Sequence, residues 1–535
     1  MFAKNNIMQK KLITPIIDVP EKFEEAWNHI DSDKRNKWRQ AIIKEIENMI
    51  KKKVWTKVSA QQIPKGKKCV KSKWVFNVKR DGTFKARLVA CGYTQVSGID
   101  FNESYSPVIN DVTWRVLLVE MITKELDAKI VDVETAFLYG DLPEEVYMVC
   151  KELHEKDEAL HLNKSIYGLV QAARQFYIKF MDILKKIGFK GGYPDPCLWN
   201  RKLNGETIFI AMWVDDCLMI GGKDAIDKVI EELKGEGFVL KVENDLQDYL
   251  SCRITIDRQR KCCWIHQPHL MEKIRNFYES LTKDKRSFLT PGTPGIKILR
   301  NPSTVVTKEE HEHYRSGTGL MLFLIKHSRP DLNNPVRELS KALDCPSPAA
   351  YKEMLRVMKF SIDTEDLGLF INPCEQENGM WEILAFSDSD FAGDVETRIS
   401  VAGFILYLMG APISWRSKGM KSVTLSSSEA EYVALSEAAK EIQFVYQVLK
   451  SMGYEVKLPI TVRVDNIGSI LMSNNVAVSQ RTKHIDIRYR FVQEFVMDGF
   501  LKIIFVKSEE NDADLMTKNL SKDLYEKHSR KLISD

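Results

Sequence analysis

Thr207-Ile-Phe-Ile-Ala-Met-Trp-Val-Asp-Asp-Cys-Leu-Met-Ile-Gly-Gly222 is the stretch on which the reading of this chain turns. Two apolar runs, Ile208 to Val214 and Cys217 to Ile220, are interrupted only by Asp215 and Asp216. Runs of that length, ending in Gly-Gly, predict two buried strands joined by a tight turn. Adjacent carboxylates between buried strands are costly unless something cancels their charge. One reading is a solvent-exposed hairpin tip, where Asp-Asp is an ordinary turn pair. The other is a divalent-metal site, because Mg²⁺ takes hard carboxylate oxygens. A third carboxylate elsewhere has to decide between them.

At 535 residues the chain is too long for one ordinary core, so two to four domains are expected. Its 44% apolar and 28% charged composition is that of a soluble globular protein. No apolar run is long enough to span a membrane, and Met1 to Ile17 lacks the apolar segment and cleavage site of a secretory signal. Ten cysteines without a C-x-x-C pair read as reduced intracellular thiols and exclude a zinc knuckle. The net charge of +4 hides a strong asymmetry: Lys51 to Ala90 carries thirteen Lys/Arg against the single acid Asp81. Trp55, Trp74, Phe76 and Phe84 are interleaved with those cations, which favours a polyanion groove over a merely solvated face.

In chain order, Glu21 to Val54 predicts a helix with a stripe of Trp27, Trp38, Ile42, Ile46 and Ile50. Lys73 to Arg80 and Phe84 to Ala90 predict a basic hairpin turning at Asp81-Gly82. Thr113 to Leu126 predicts a buried helix. Ala128-Lys-Ile-Val-Asp-Val-Glu-Thr-Ala-Phe-Leu138 then predicts a strand running into a turn, with Asp132 between Val131 and Val133. Asp132 is the candidate third carboxylate. Alone it fits an edge position as well as one aimed at a cleft.

Asp132-Val-Glu-Thr-Ala-Phe-Leu-Tyr-Gly-Asp-Leu-Pro143, Lys164-Ser-Ile-Tyr-Gly-Leu-Val-Gln-Ala-Ala-Arg174 and Trp213-Val-Asp-Asp-Cys217 follow one another in order. With Lys85-Ala-Arg-Leu-Val-Ala90 and Gly92-Tyr-Thr-Gln95, the chain from about Glu21 onward resembles the reverse transcriptase of copia-type LTR retrotransposons. The resemblance implies a right-hand polymerase of fingers, palm and thumb over 21–290, a connection segment over 291–380 and an RNase H-like domain over 381–520. Residues 1–20 are expected as an unstructured N-terminus and 521–535 as a C-terminal tail. The fold class is thus multidomain α+β and α/β.

The resemblance further implies that Asp132 and Asp215 ligate two Mg²⁺ ions (or Mn²⁺ in their place), with Asp216 beside them. Two-metal nucleotidyl transfer explains the residue types, since bridging carboxylates hold dications about 4 Å apart. Phe137 is implied to wall the sugar pocket against a 2′-hydroxyl, Lys85 and Arg87 to bind the triphosphate, and Gln171 to contact the nucleotide, with Arg174 nearby. Several positions depart from the family pattern: Trp213 stands for Tyr, Leu250-Ser-Cys-Arg-Ile254 for the usual Leu-Gly-Ile-Glu-Ile primer hairpin, and Val170 and Ala173 for Lys and Pro. The segment Thr290-Pro-Gly-Thr-Pro-Gly295 reads as a linker, and Tyr314 to Leu369 as helical structure without chemistry.

From Trp381 the pattern is three strands, a long helix over Ser428 to Met452, then strand, helices, strand and helix, the order of the RNase H fold. There the resemblance implies a second two-ion site on Asp388, Glu431, Asp465 and Asp514. Glu431 is preferred to Glu429 because it shares a helical face with Ala434, Leu435, Ala438 and Ile442, whereas Glu429 falls on a more solvated row. Asp390 is the alternative to Asp388. Arg481, Lys483, His484, Arg488 and Arg490 form a basic stretch suited to hybrid phosphates.

The implied partners are an RNA template, a DNA primer, RNA/DNA hybrid and dNTPs, with capsid and integrase as associates and no membrane. The implied location is cytoplasmic particles, with a nuclear stage. Protease and integrase signatures are absent, so the chain reads as a C-terminal part of a Pol polyprotein, a truncated element or a separate frame. A catalytically inactive or host-recruited copy acting as a nucleic-acid-binding protein is the alternative function.

Overall fold

The computed structural model describes residues 19–79, 82–375, 378–474 and 486–535. The single helix expected over Glu21–Val54 is two, Phe23–Trp27 and Ser32–Lys51. The break comes from Asp31, whose carboxylate accepts from the backbone N–H of Asp33 and Lys34 at 2.9 and 3.0 Å. An N-cap of this kind satisfies donors that a helix start leaves unpaired. Trp38 and Ile42 are fully buried as the stripe predicts, but Met49 fills the next core position and Ile50 is 62% exposed.

The basic hairpin forms from Val70–Val78 and Phe84–Ala90, paired from Ser72↔Ala90 to Val78↔Phe84. Asp81 of the expected turn lies outside the described residues, and Gly82 takes φ +80°. The hairpin closes one side of a five-stranded sheet ordered Trp55–Ser59, Glu158–Lys164, Asp141–Val149, Val70–Val78, Phe84–Ala90. The interleaved aromatics do not enter a groove. Trp74 and Phe76 are buried, and Trp38 meets Phe76 and Phe84 edge-on at 5.3 and 4.5 Å. Period-2 alternation explains this: one face of the strand takes the rings while Lys71 and Lys73 stay exposed on the other.

The second sheet is antiparallel throughout, ordered Leu240–Glu243, Asp127–Val133, Asp216–Gly221, Glu206–Trp213, Leu198–Leu203, Lys190–Gly191. Helix Asp111–Thr123 is apolar almost all round and correspondingly buried. Its Arg115 donates to the carbonyls of Ile413 (2.8 Å) and Lys326 (2.6 Å), which ties this sheet to the last domain.

A third sheet joins Asp248–Tyr249, Cys252–Asp257, Cys262–His266, Gly368–Ile371 and Ile533–Ser534. The region expected as a C-terminal tail is therefore structured: helix Lys522–Ser529 leads into an edge strand paired with Gly368–Ile371. The expected linker is also fixed in place, because Thr293 donates through N and Oγ1 to Glu353 at 2.6 and 2.9 Å.

The fourth sheet runs Ala411–Gly419, Val401–Leu408, Ile383–Asp390, Ile460–Val464, Leu501–Phe505, the first three antiparallel and the last two parallel. Helix Ser427–Ser451 lays Tyr432, Leu435, Ala438 and Ile442 into the core shared with this sheet. The chain has the expected multidomain architecture of mixed α/β layers.

Candidate active sites

The first site is built by register. Asp132 pairs with Asp216 on one side and Lys241 on the other, and Asp216 in turn faces Trp213. These four residues form one row across four strands. Trp213 and Asp216 leave only Val214 and Asp215 for the turn, and Val214 takes φ +56°. That conformation is a genuine outlier for a β-branched residue, of the kind that persists only where the surroundings over-determine it. One such constraint is the Val133 N–H, which donates to the Asp215 carbonyl at 3.0 Å. Asp132, Asp215 and Asp216 are all half-buried, which disposes of the freely exposed hairpin tip.

Their electrostatics follow from that burial. Asp132 is raised above the usual carboxylate range by burial and then by Asp215, with Lys85 opposing. Asp216 is pushed up to about 6, again by burial first and then by Asp215 and Asp132. A cleft of about 490 Å³ opens beside the row, with Asp132, Trp213, Asp216, Ser251, Lys326 and His327 in its wall. A larger one of about 930 Å³, walled by Gln247, Arg253 and Trp264, contains none of the predicted carboxylates, and Arg253 and Ile254 are its residues from the primer-hairpin segment.

From the connecting helices, read above as without chemistry, Lys326 and His327 reach the wall of the smaller cleft. Lys326 ion-pairs with Asp111 at 2.9 Å and lies 5.8 Å over the Trp213 ring. Burial lowers His327 to about 4, so it is neutral near pH 7. The departing primer-hairpin sequence also has a structural consequence. Tyr249 pairs with Cys252, so Leu250 and Ser251 form a two-residue turn with φ +51° and +64°.

Lys85 and Arg87 stand on the returning strand of the basic hairpin. The Arg87 guanidinium lies 4.8 Å over Tyr167, which meets Phe137 edge-on at 5.1 Å. Cation and sugar-pocket candidate are thus joined through one ring. Gln171 is placed differently from its expected role. It is fully buried, donates Nε2 to the Asp100 carbonyl at 2.9 Å and accepts from Gln95 Nε2 at 3.1 Å. A nucleotide meets its amide only if that relay opens.

Glu45, which sequence reading passed over, lies buried on helix Ser32–Lys51. Burial pushes its carboxyl up to about 7, against the Leu88 backbone, Arg87 and Lys85. The signal was available, since Glu45 falls three residues after Ile42 and four before Met49 on the apolar stripe.

The second site gathers more tightly. Carboxylate oxygens of Asp388, Asp465 and Asp514 all lie within 4.8 Å of one another, the one such acidic or His/Cys group among the described residues. Asp388 comes from the first strand of the fourth sheet, and Asp465 directly follows its parallel neighbour. Asp514 opens the short helix Asp514–Thr517. Glu431 reaches across from the long helix, accepting from Ser389 N (3.1 Å) and Oγ (2.8 Å) with Oε1, while Oε2 is buried without a partner.

Burial raises Asp388 well above its usual range, Lys518 opposing and Asp514 and Glu431 adding. Glu431 is pushed up to about 7 by burial, with Ser389 opposing and Asp465 adding. An orphaned buried carboxylate oxygen beside three clustered acids is a donor set that fits a hard divalent cation.

The alternative acids have partners of their own. Glu429 is buried rather than solvated, and its Oε2 accepts from the Leu425 N–H at 2.8 Å beside the helix start. Asp390 ion-pairs with Lys297 at 2.8 Å. Arg481, Lys483 and His484 lie outside the described residues. Lys518, also unanticipated, places Nζ 2.8 Å from Asp514 and 3.3 Å from Asp388, and Thr517 Oγ1 donates to Asp388. Its spacing of four residues from Asp514 is the signal that sequence reading left unused.

Residues 52–285 match the family described as reverse transcriptase (RNA-dependent DNA polymerase). Over 525 residues the chain is 33% identical to the retrovirus-related Pol polyprotein from transposon TNT 1-94 of Nicotiana tabacum, covering 95% of this chain and 38% of that protein. It is 30% identical over 514 residues to the corresponding polyprotein from transposon RE2 of Arabidopsis thaliana, covering 94% and 34%. The chain therefore spans about a third of the length of these relatives. Among solved structures, a foamy viral protease-reverse transcriptase in complex with double-stranded DNA aligns with a TM-score of 0.47 at 13% identity, covering 88% of this chain and 70% of that one. In motif order, family match and relatives alike, the chain is similar to the reverse transcriptases of copia-type retrotransposon Pol polyproteins.

Proposed function

We propose that this chain copies RNA into DNA and hydrolyses the RNA strand of the resulting hybrid, at two separate sites. The observation that supports this most directly is the pair of carboxylate groups raised on different sheets. Asp132, Asp215 and Asp216 sit at the ends of the second sheet's central strands, and Asp388, Glu431, Asp465 and Asp514 beside the fourth. Mg²⁺, or Mn²⁺ in its place, would supply Lewis-acid activation of the attacking oxygen and charge stabilisation at the leaving group at both sites.

The chain's own residues then have positional tasks. In the polymerase half Asp132 and Asp215 hold the ions, with Asp216 alongside. Lys85 and Arg87 bind the dNTP triphosphate, Arg87 being oriented by its stack on Tyr167. Phe137 excludes a 2′-hydroxyl, and Gln171 acts from below by holding the Gln95–Asp100 loop rather than by direct contact. The Leu250–Ser251 turn and Lys326 border the cleft on the side where a primer end would lie. In the nuclease half Asp388, Asp465 and Asp514 form the ligand set and Glu431 completes it through Oε2. RNA template, DNA primer and hybrid are the substrates of this reading. Domain limits near 290 and 380, association with capsid and integrase, and residence in cytoplasmic particles with a nuclear stage belong to it as well.

Primer extension on poly(rA)/oligo(dT) with Mg²⁺ and dTTP, run beside cleavage of a labelled RNA/DNA hybrid, tests the proposal. Both activities are expected, with extension lost and cleavage kept in Asp215→Asn. Cleavage without extension in the unaltered chain would reduce it to a nuclease. Neither activity, with tight salt-sensitive hybrid binding, would return the binding-protein alternative.

A further inference from the structure

Lys518 occupies the middle of the nuclease acids. Its ammonium lies 2.8 Å from Asp514 Oδ1 and 3.3 Å from Asp388 Oδ2, two of the three carboxylates that converge within 4.8 Å. Asp465, the third, adds to the field that the ammonium sits in. In the first site Lys241 occupies the neighbouring strand position and pairs with Glu243 at 2.7 Å. Yet Lys518 is not sealed in. Its side chain is 37% exposed, and a four-carbon stem lets the ammonium leave toward solvent without backbone movement. The backbone beneath it is fixed, since its N–H donates to the Asp514 carbonyl at 3.0 Å. Asp388 is steadied as well by Thr517, whose hydroxyl donates to the same Oδ2.

From this placement we infer that Lys518 is a resident counter-cation of the nuclease site, a positioning residue that holds Asp388 and Asp514 together before divalent ions arrive and is displaced by them. The argument is one of charge. Clustered buried carboxylates repel one another and stay ionised together only when a cation stands among them. A divalent ion seated between Asp388 and Asp514 competes with the ammonium for the same oxygens and repels it, so its entry expels the ammonium. Two consequences follow. The metal-free site keeps its geometry, and its affinity for Mg²⁺ is lower than the acids alone would give. The displaced ammonium, on its tether, is then free to meet a backbone phosphate of the bound hybrid. This inference rests on the nuclease reading of the four acids.

The test uses the full chain carrying Asp215→Asn, so that the first site contributes little to binding. Mg²⁺ binding is measured by calorimetry and by the rise in Tm on adding the ion, for Lys518→Met, for Lys518→Gln and for Asp388→Asn as the control lacking a ligand. The expected result is a lower Tm for both Lys518 variants without metal, about tenfold tighter Mg²⁺ binding, and a larger rise in Tm when Mg²⁺ is added. Lys518→Gln keeps most of the stem, so it carries the test if Lys518→Met misfolds, with far-UV circular dichroism as the check on folding. Unchanged or weaker Mg²⁺ binding in a folded Lys518 variant, where Asp388→Asn abolishes binding, overturns the counter-cation role and leaves the nuclease reading intact. Absence of Mg²⁺ binding in every variant, including the unaltered nuclease site, overturns both.

Discussion

The two acidic sites of this chain are assembled in opposite ways. The nuclease acids arrive from a strand end, the residue after a second strand, a long helix and a short helix, and three of them already converge within 4.8 Å around a lysine. The three polymerase acids come from two neighbouring strands and the turn between two, and among the described residues they do not gather into so tight a group. Burial raises Asp132 and Asp216, Asp215 adds to both and Asp132 to Asp216, with lysines opposing. At an effective dielectric near 20, two charges 4.8 Å apart repel by roughly 3 to 4 kcal/mol. The nuclease site offsets that within the fold. At the first site lysines oppose the repulsion of Asp132 and Asp216 only weakly, and under the proposed polymerase function the remainder is offset by what binds there.

Independence of the two sites is the first thing to challenge. Asp215→Asn is expected to lower primer extension by at least about a thousandfold, the scale of losing a group that holds a catalytic ion, while hybrid cleavage stays within about twofold. Asp388→Asn is expected to do the reverse. Steady-state rates of both reactions on both variants decide it. If either substitution removed both activities, the sites would be coupled, with the Arg115 contacts to Ile413 and Lys326 as the first place to look.

A smaller effect is expected at Phe137, whose ring is held by Tyr167 rather than by deep burial. Phe137→Ala should raise incorporation of UTP relative to dTTP by about ten- to a hundredfold, the usual reach of a steric pocket. Unchanged selectivity with normal extension would return Phe137 to the core and leave the sugar pocket to another residue.

Glu45 probes the polymerase half through folding rather than catalysis. Its carboxyl is raised from 4.5 to about 7, chiefly by burial. Below pH 4.5 it is neutral in both folded and unfolded chains. Between 4.5 and 7 the unfolded chain releases the proton and the folded one keeps it, so stability falls across that window, by at most roughly 3 kcal/mol. Glu45→Gln should therefore stabilise the protein more at pH 7.5 than at pH 5, read as the difference in Tm between variant and parent. An equal difference at both pH values would mean that Glu45 is ionised in the fold, paired with Lys85 and Arg87.

Much of this was legible before any coordinates, for a physical reason. Period-2 alternation, paired carboxylates and long apolar runs are local signals, so the strand carrying Asp132, the Val214–Asp215 turn and the helix carrying Glu431 could be placed from sequence. What escaped was the identity of the groups facing those residues. Trp74 and Phe76 belong to the strand's apolar face, which no count of cations reveals. Gln171 is internal because Asp100 and Gln95, 71 and 76 residues away in sequence, come to meet it. Glu45 and Lys518 matter only through partners on other elements. Lys326 and the strand Ile533–Ser534 join sites and sheets whose other members lie far back in the chain. Sequence patterns define an element's own face, not the face that packs against it.

The smallest effect bears on the margin of the polymerase cleft. Leu250 and Ser251 both take positive φ in a two-residue turn between paired Tyr249 and Cys252, and both help to wall the cleft. Turns with two left-handed central residues favour Asn-Gly or Asp-Gly, because glycine reaches that conformation without a Cβ clash. Serine at φ +64° carries a steric cost that glycine would not, although glycine also gives the unfolded chain more freedom. At a left-handed position the first term wins, so Ser251→Gly should raise stability by about 0.5 to 1 kcal/mol, seen as a modest increase in Tm. If extension also improves while hybrid cleavage is unchanged, the strained turn limits the half of the molecule that waits for its substrate. If Tm rises with extension unaltered, the turn is a structural cost alone, and the difference between the two sites lies wholly in how their carboxylates are neutralised.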